Sequence, residues 1–246
     1  RDLKEIKDYI LLAKDGEIGR CKDFLFDDRY WTVRYMVADT GKWLPGRKVL
    51  ISPISLEKPD WQTRKFPVDL TKERIENSPP LSADETVSRQ YEMNWYDYYG
   101  WTAYWSGGGV WGPSPLPAQV LRTGEMKHPA EEEIDPSKNH LRSADEVTGY
   151  HIEASDGEIG HVEDFVLDDE TWMIRYIVVD TRNILPGKKV LVSPLWIKSV
   201  DWPTNKVIVD HTVDEIKNGP TYDPSTPVNR EYEVQLYDYF GRPVYW

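Results

Sequence analysis

The chain has 246 residues, 39% apolar, 29% charged and 13% aromatic, which is room for one large domain or two ordinary ones with aromatic cores. A formal net charge of −12 with no basic block opposes direct binding to nucleic acid or an anionic membrane surface, and no apolar run approaches the ~20 residues of a bilayer span. The single cysteine, Cys21, excludes an intrachain disulfide and a multi-thiolate zinc site, and residues 1–10 lack the apolar core of a signal peptide, so a soluble, cytoplasmic protein is expected.

Internal repetition sets the organisation. Residues 1–105 align with 142–246 at a constant offset and without a gap, a little under half of the pairs being identical. Asp15-Gly-Glu-Ile-Gly19 returns as Asp156-Gly-Glu-Ile-Gly160, Leu44-Pro-Gly46 as Leu185-Pro-Gly187, and Tyr104-Trp105 as Tyr245-Trp246. Three segments follow: a first repeat at 1–105, a linker at 106–141 and a second repeat at 142–246. The linker is Gly/Pro-rich from Ser106 to Pro117 and acidic at Glu131-Glu-Glu133, which reads as a flexible tether with a semi-rigid proline stretch. Pro113, Pro115 and Pro117 lack the PxxP spacing of a polyproline ligand.

Each repeat opens with β signals. In the first, residues 9–13 run into the Asp15-Gly16 turn, 18–26 form a second strand, 27–30 a tight loop and 32–39 a third strand. The third strand carries Val33, Tyr35 and Val37 on one face and Met36 and Ala38 on the other, the pattern of a strand buried on both sides in a small barrel. Pro45-Gly46 suits the centre of a type II turn. Residues 48–52 form the next strand, ended by Pro53, and 65–69 the last. Helices come only afterwards. Thr71 and Thr212 are N-caps, Thr212 with Glu215 makes a capping box, and Pro79 and Gly219-Pro220 stop the short helix. Val87, Tyr91, Trp95 and Tyr98, matched by Val228, Tyr232, Leu236 and Tyr239, form one apolar stripe on a longer helix closed by Gly100 and Gly241.

The succession Asp15-Gly-Glu-Ile-Gly19, Asp27-Asp28, Trp31-x-Val33-Arg34-Tyr35-x-Val37-x-Asp39-Thr40 and Leu44-Pro-Gly-x-Lys48-Val-Leu-x-Ser52-Pro53, returning from Asp156 to Pro194, resembles the PRC-barrel family. The resemblance spans residues 9–70 and 150–211. It implies a mainly β fold: two copies of a small PRC-type β-barrel, each followed by a short and a longer helix. The family includes the cytoplasmic domain of the photosynthetic reaction centre H subunit, the C-terminal domain of a ribosome-maturation factor and many stand-alone bacterial proteins. The H subunit carries a membrane-spanning helix ahead of its barrel, and the ribosome factor a different barrel domain; this chain shows a second copy of the same pattern.

No constellation in the sequence looks catalytic. All five histidines (His128, His140, His151, His161 and His211) lie beyond the first repeat, so a duplicated histidine site is excluded; a single metal or acid/base set from His151, His161 and His211 competes with surface decoration. Asp27-Asp28 and Asp168-Asp169 suit turn chemistry better than a cation site, because neighbouring acids in a turn point apart. Ser52 and Ser193 sit in Ser-Pro with no nucleophile elbow, Gly107-Gly-Gly109 lacks a phosphate-loop continuation, and Cys21 aligns with Val162, as a small buried side chain would.

The sequence therefore points to a non-enzymatic scaffold or interaction module with no catalytic residue, cofactor or metal. Accessory service to a photosynthetic or electron-transfer membrane complex and a ribosome or RNA maturation adaptor are the alternatives, both resting on the resemblance. Asp23 is expected to pair with Arg34, and Asp164 with Arg175, as structural ion pairs inside the strands. The tyrosine-rich tails supply the candidate interaction surface: Tyr96, Tyr98, Tyr104 and Trp105, with Tyr237, Tyr239, Tyr245 and Trp246. The partner is a protein of unknown identity, the two repeats are expected to pair within the chain about a pseudo-two-fold axis, and a homo-oligomer is left open.

Overall fold

The computed structural model describes residues 1–120, 140–181 and 188–246. Leu185-Pro-Gly187, His128 and the acidic half of the linker lie outside the described residues. The chain is mainly β, with two six-stranded sheets and short helices.

The first half runs α1 (Leu3–Ile6), β1 (Ile10–Ala13), β2 (Gly16–Asp27), β3 (Thr32–Asp39), β4 (Val49–Ile51), β5 (Lys65–Pro67), α2 (Lys72–Glu76) and α3 (Arg89–Tyr99). The second continues with β6 (Leu141–Ser143), α4 (Ala144–Val147), β7 (His151–Ala154), β8 (Gly157–Leu167), β9 (Ile174–Asp180), β10 (Lys189–Val192), β11 (Ile197–Asp201), β12 (Lys206–Val209), α5 (Val213–Asn218) and α6 (Arg230–Phe240). In the first sheet the order is β4-β3-β2-β1-β5, with β6 also paired to β2; in the second it is β10-β9-β8-β7-β12-β11. Each sheet is an antiparallel meander closed by one parallel neighbour, β5 beside β1 and β12 beside β7. β3 is buried on both faces, as its sequence requires, with Val33, Tyr35 and Met36 sealed from solvent.

Compact units do not follow the repeat boundaries. One unit contains Ile6–Ser143 together with Asp169–Met173; the other contains Arg1–Glu5, Ala144–Asp168 and Ile174–Trp246. The Gly/Pro-rich half of the linker is not a tether. Residues 106–120 fold into the first unit, where Trp111 is sealed from solvent and a 3-10 turn at Pro117–Gln119 packs against the 3-10 turn at Pro53–Ser55. Gly112, at φ +69°, lies so close beneath the tail that a Cβ there would sit 2.7 Å from the Ala103 carbonyl.

The long helices are turned relative to the expected stripe. α3 buries Glu92, Trp95, Tyr96 and Tyr99, and α6 buries Glu233, Leu236 and Tyr237. A glutamate occupies the buried face because two tyrosines and an arginine satisfy it there, which an apolar-stripe reading cannot anticipate. The caps fall where expected: Thr71 accepts from Arg74 N, Thr212 and Glu215 close a capping box, and Gly100 and Gly241 take left-handed conformations.

Candidate functional site

Bulges shape the polar centre of each unit. β2 pairs with β3 through two register shifts, one between Cys21 and Asp23 and one between Leu25 and Phe26. The shifts set Asp23 opposite Val37 and leave Arg34 as the extra residue of β3, between Tyr35 opposite Leu25 and Val33 opposite Phe26. Arg34 therefore pairs with Asp27 at 3.4 Å, not with Asp23, and Arg175 pairs with Asp168 at 2.7 Å, not with Asp164. Asp23 instead accepts from Ser143 Oγ at 2.6 Å, and Asp164 accepts from the Lys4 and Phe165 amides. Burial pushes the Asp164 carboxyl up to about 7. Asp27 also accepts from the Arg29 and Tyr30 amides, the turn chemistry expected of an Asp at that position.

Around these arginines the helical tail builds an aromatic clasp. In the first unit Glu92 accepts from Tyr35 Oη at 2.8 Å and Tyr104 Oη at 3.0 Å, and meets Arg89 at 3.0 Å. In the second, Glu233 accepts from Tyr176 at 2.7 Å and Tyr245 at 2.8 Å, and meets Arg230 at 3.0 Å. Glu92 is fully enclosed, and burial pushes its carboxyl up to about 7 against the pull of Arg89. Arg89 in turn lies 4.1 Å from the Trp105 ring centroid and Arg230 4.0 Å from that of Trp246.

The clasp corrects the expected interaction surface. Tyr96, Tyr104 and Tyr237 are buried core residues; Trp105 and Tyr245 are half-buried; Tyr98, Tyr239 and Trp246 alone among the eight are exposed. The reason is the position of Gly100 and Gly241: each reverses the chain so that the tail folds back over its own helix. The exposed tyrosines are tethered, Tyr98 Oη donating to the Arg74 carbonyl and Tyr239 Oη to that of Glu215.

The other candidates resolve into packing and pairing. His140 and Arg142 both engage Asp28, His151 meets Glu158, and His211 is buried against Trp196 and Phe240, where desolvation lowers its pKa. Ser52 and Ser193 cap 3-10 turns through their hydroxyls. Cys21 is buried and its thiol pushed far up by desolvation, so it stays protonated and inert. His161, Glu163 and Asp180 bring ligand atoms within 4.8 Å of one another, a grouping assembled by the β8–β9 register and not legible in sequence spacing. Lys4 at 2.9 Å and Lys189 at 3.4 Å already hold Glu163.

Residues 142–216, from the start of β6 through β12 into α5, match the PRC-barrel domain family. No curated protein matches the chain. No helix among the described residues is long and apolar enough to cross a membrane.

Proposed function

We propose that this protein is a non-enzymatic scaffold built of two PRC-barrel repeats, acting in the cytoplasm through a protein-binding face on the unit that holds 174–246. The match at 142–216 supports the domain in the second repeat, and the gapless alignment of 1–105 with 142–246, a little under half of the pairs identical, extends it to the first. One observation carries the interaction reading. Of the seven large hydrophobic side chains exposed among the described residues, five belong to that unit: Leu195, Val234, Tyr239, Val244 and Trp246. The acid and base groups of the clasps, by contrast, are spent on internal hydrogen bonds.

The experiment is affinity capture from the native source with wild-type protein and a Leu195→Asp variant. Specific partners lost with the variant support the scaffold; an unchanged captured set removes it. Membrane-complex subunits or ribosomal proteins among those partners would favour the accessory or maturation alternatives. Intrachain pairing of the repeats about a pseudo-two-fold axis belongs to the same proposal on the strength of the sequence duplication, and an extended small-angle scattering profile would remove it.

A further inference from the structure

The two repeats build the same tail face, and among the described residues only one of the two is covered. In the first unit, residues 106–120 lie over it. Arg34 has a fully buried side chain: its guanidinium sits between the Tyr104 ring at 4.0 Å and the Trp111 ring at 4.8 Å, and Nη1 donates to the Val110 carbonyl at 2.6 Å. Trp111 Nε1 donates onward to the Thr171 carbonyl at 2.8 Å, and Gly112 N to the Tyr104 carbonyl at 2.9 Å. Ile54 is 7% exposed and Ala103 fully buried.

The second unit carries the same receptor with no counterpart of the cover among the described residues. Its tail is already in place: Tyr237–Trp246 and Tyr245–Trp246 ring pairs repeat the Tyr96–Trp105 and Tyr104–Trp105 geometry, with centroids at 5.5 and 5.0 Å against 5.2 and 4.9 Å. Arg175 stacks on Tyr245 at 4.5 Å, but no tryptophan among the described residues faces its other side. Its Nε and Nη2 donate to Asp168, while Nη1, the counterpart of the atom that holds Val110, has no acceptor among the described residues. The side chain is 22% exposed. Leu195, at the position of Ile54, is 72% exposed, and Val244, at that of Ala103, is 46% exposed.

We propose that this face binds an extended Gly/Pro-rich segment of a partner polypeptide carrying one tryptophan, in the manner that the first unit binds its own residues 106–120. The tryptophan ring stacks on the open face of Arg175, a neighbouring backbone carbonyl accepts from its Nη1, and a proline-rich stretch covers Leu195 and Val244. The chemistry is that of Val110-Trp-Gly-Pro-Ser-Pro-Leu-Pro117. Proline and a preformed tail both reduce the conformational entropy lost on binding, which suits a short segment to the site. The inference rests on the scaffold reading and names the ligand of its face.

The test uses the 246-residue protein and a synthetic peptide of residues 106–120, with binding followed by calorimetry. Saturable one-to-one binding is expected. It should weaken at least tenfold when alanine replaces the peptide's tryptophan, and likewise in Leu195→Asp and Arg175→Lys variants, since a lysine point charge offers no plane to stack. The free peptide does not compete with the tethered copy on the first unit, whose local concentration is far higher. No binding at millimolar peptide overturns the proposal, as does binding that Leu195→Asp leaves unchanged. A Leu195-dependent dimer without peptide binding gives the face to a second copy and also overturns it. If the peptide fails while Leu195→Asp still abolishes partner capture, the ligand chemistry falls and the scaffold reading stands.

Discussion

Arg34 and Arg175 share a sequence context and a kind of partner, yet their surroundings set different costs for losing them. Arg34 is sealed, so Arg34→Ala leaves Asp27 as a buried charge without its cation and should cost about 3–5 kcal/mol. Arg175 and Asp168 both reach solvent, and Arg175→Ala should cost no more than about 1 kcal/mol. Urea denaturation of the two variants measures the difference, and equal costs would contradict it. Glu92 supplies a pH signature. Its carboxyl rises from the ordinary value of 4.5 to about 7 in the folded state, so the folded protein holds a proton that the unfolded chain releases. Stability from this group is fully present below about 4.5, is lost as pH rises from there to about 7, and amounts to something on the order of 3 kcal/mol. A Glu92→Gln variant keeps an acceptor for both tyrosines without the ionisation, so it should gain on wild type across that window in thermal melts. A pH-independent difference would refute the assignment. None of this could be seen in the sequence. Counting back from a tight loop at 27–30 sets Asp23 across from Arg34, whereas the β2–β3 register, with its two shifts, sets Asp23 opposite Val37 and leaves Arg34 to Asp27.

At the scale of elements, the Asp-Gly-Glu-Ile-Gly motif draws its last glycine from close contact as well as from a positive φ, +137° at Gly19 and +63° at Gly160. A Cβ on Gly19 would fall inside the van der Waals shell of the Asp39 carbonyl, and one on Gly160 inside that of Asp180, both backbone atoms that cannot move aside. Gly19→Ala and Gly160→Ala should therefore force β2 from β3, or β8 from β9, at a cost above about 2 kcal/mol. Gly46→Ala, at φ +72° with open space around it, should cost only about 1 kcal/mol of backbone strain. Chemical denaturation of the three variants tests the order. Strand positions, the caps at Thr71 and Thr212 and the glycine stops were legible because they depend on neighbours in sequence. The rotation of α3 was not: its buried face includes Glu92, whose partners Tyr35 and Tyr104 come from a distant strand and from beyond the helix end. The strap at 106–120 was missed for a related reason. Gly and Pro in that segment read as freedom, whereas Gly112 is there so the chain can lie flat on the Ala103 carbonyl and deliver Trp111 to Arg34.

For the whole molecule, the repetition of 1–105 in 142–246 is written in the sequence and the division into units is not, because units are defined by packing. Arg1–Glu5 is a case in point: it opens the first repeat but belongs to the compact unit that holds 174–246. There Leu3 is buried, Asp2 accepts from Tyr222 Oη at 2.6 Å, and the Lys4 amide donates to Asp164, whose carboxyl burial raises to about 7. Shortening the chain to start at Ile6 removes a buried leucine and strips partners from Tyr222 and Asp164 together. The expected loss is about 3 kcal/mol or more in that unit, the leucine alone being worth about 2 kcal/mol or more. The first unit should keep its stability, since Ile6 is the first residue it uses. Amide hydrogen exchange separates the two outcomes. Faster exchange confined to β8, β9 and the residues around Tyr222 is expected. Uniform change through both sheets, or none, would show that the pentapeptide does not serve the unit it packs in.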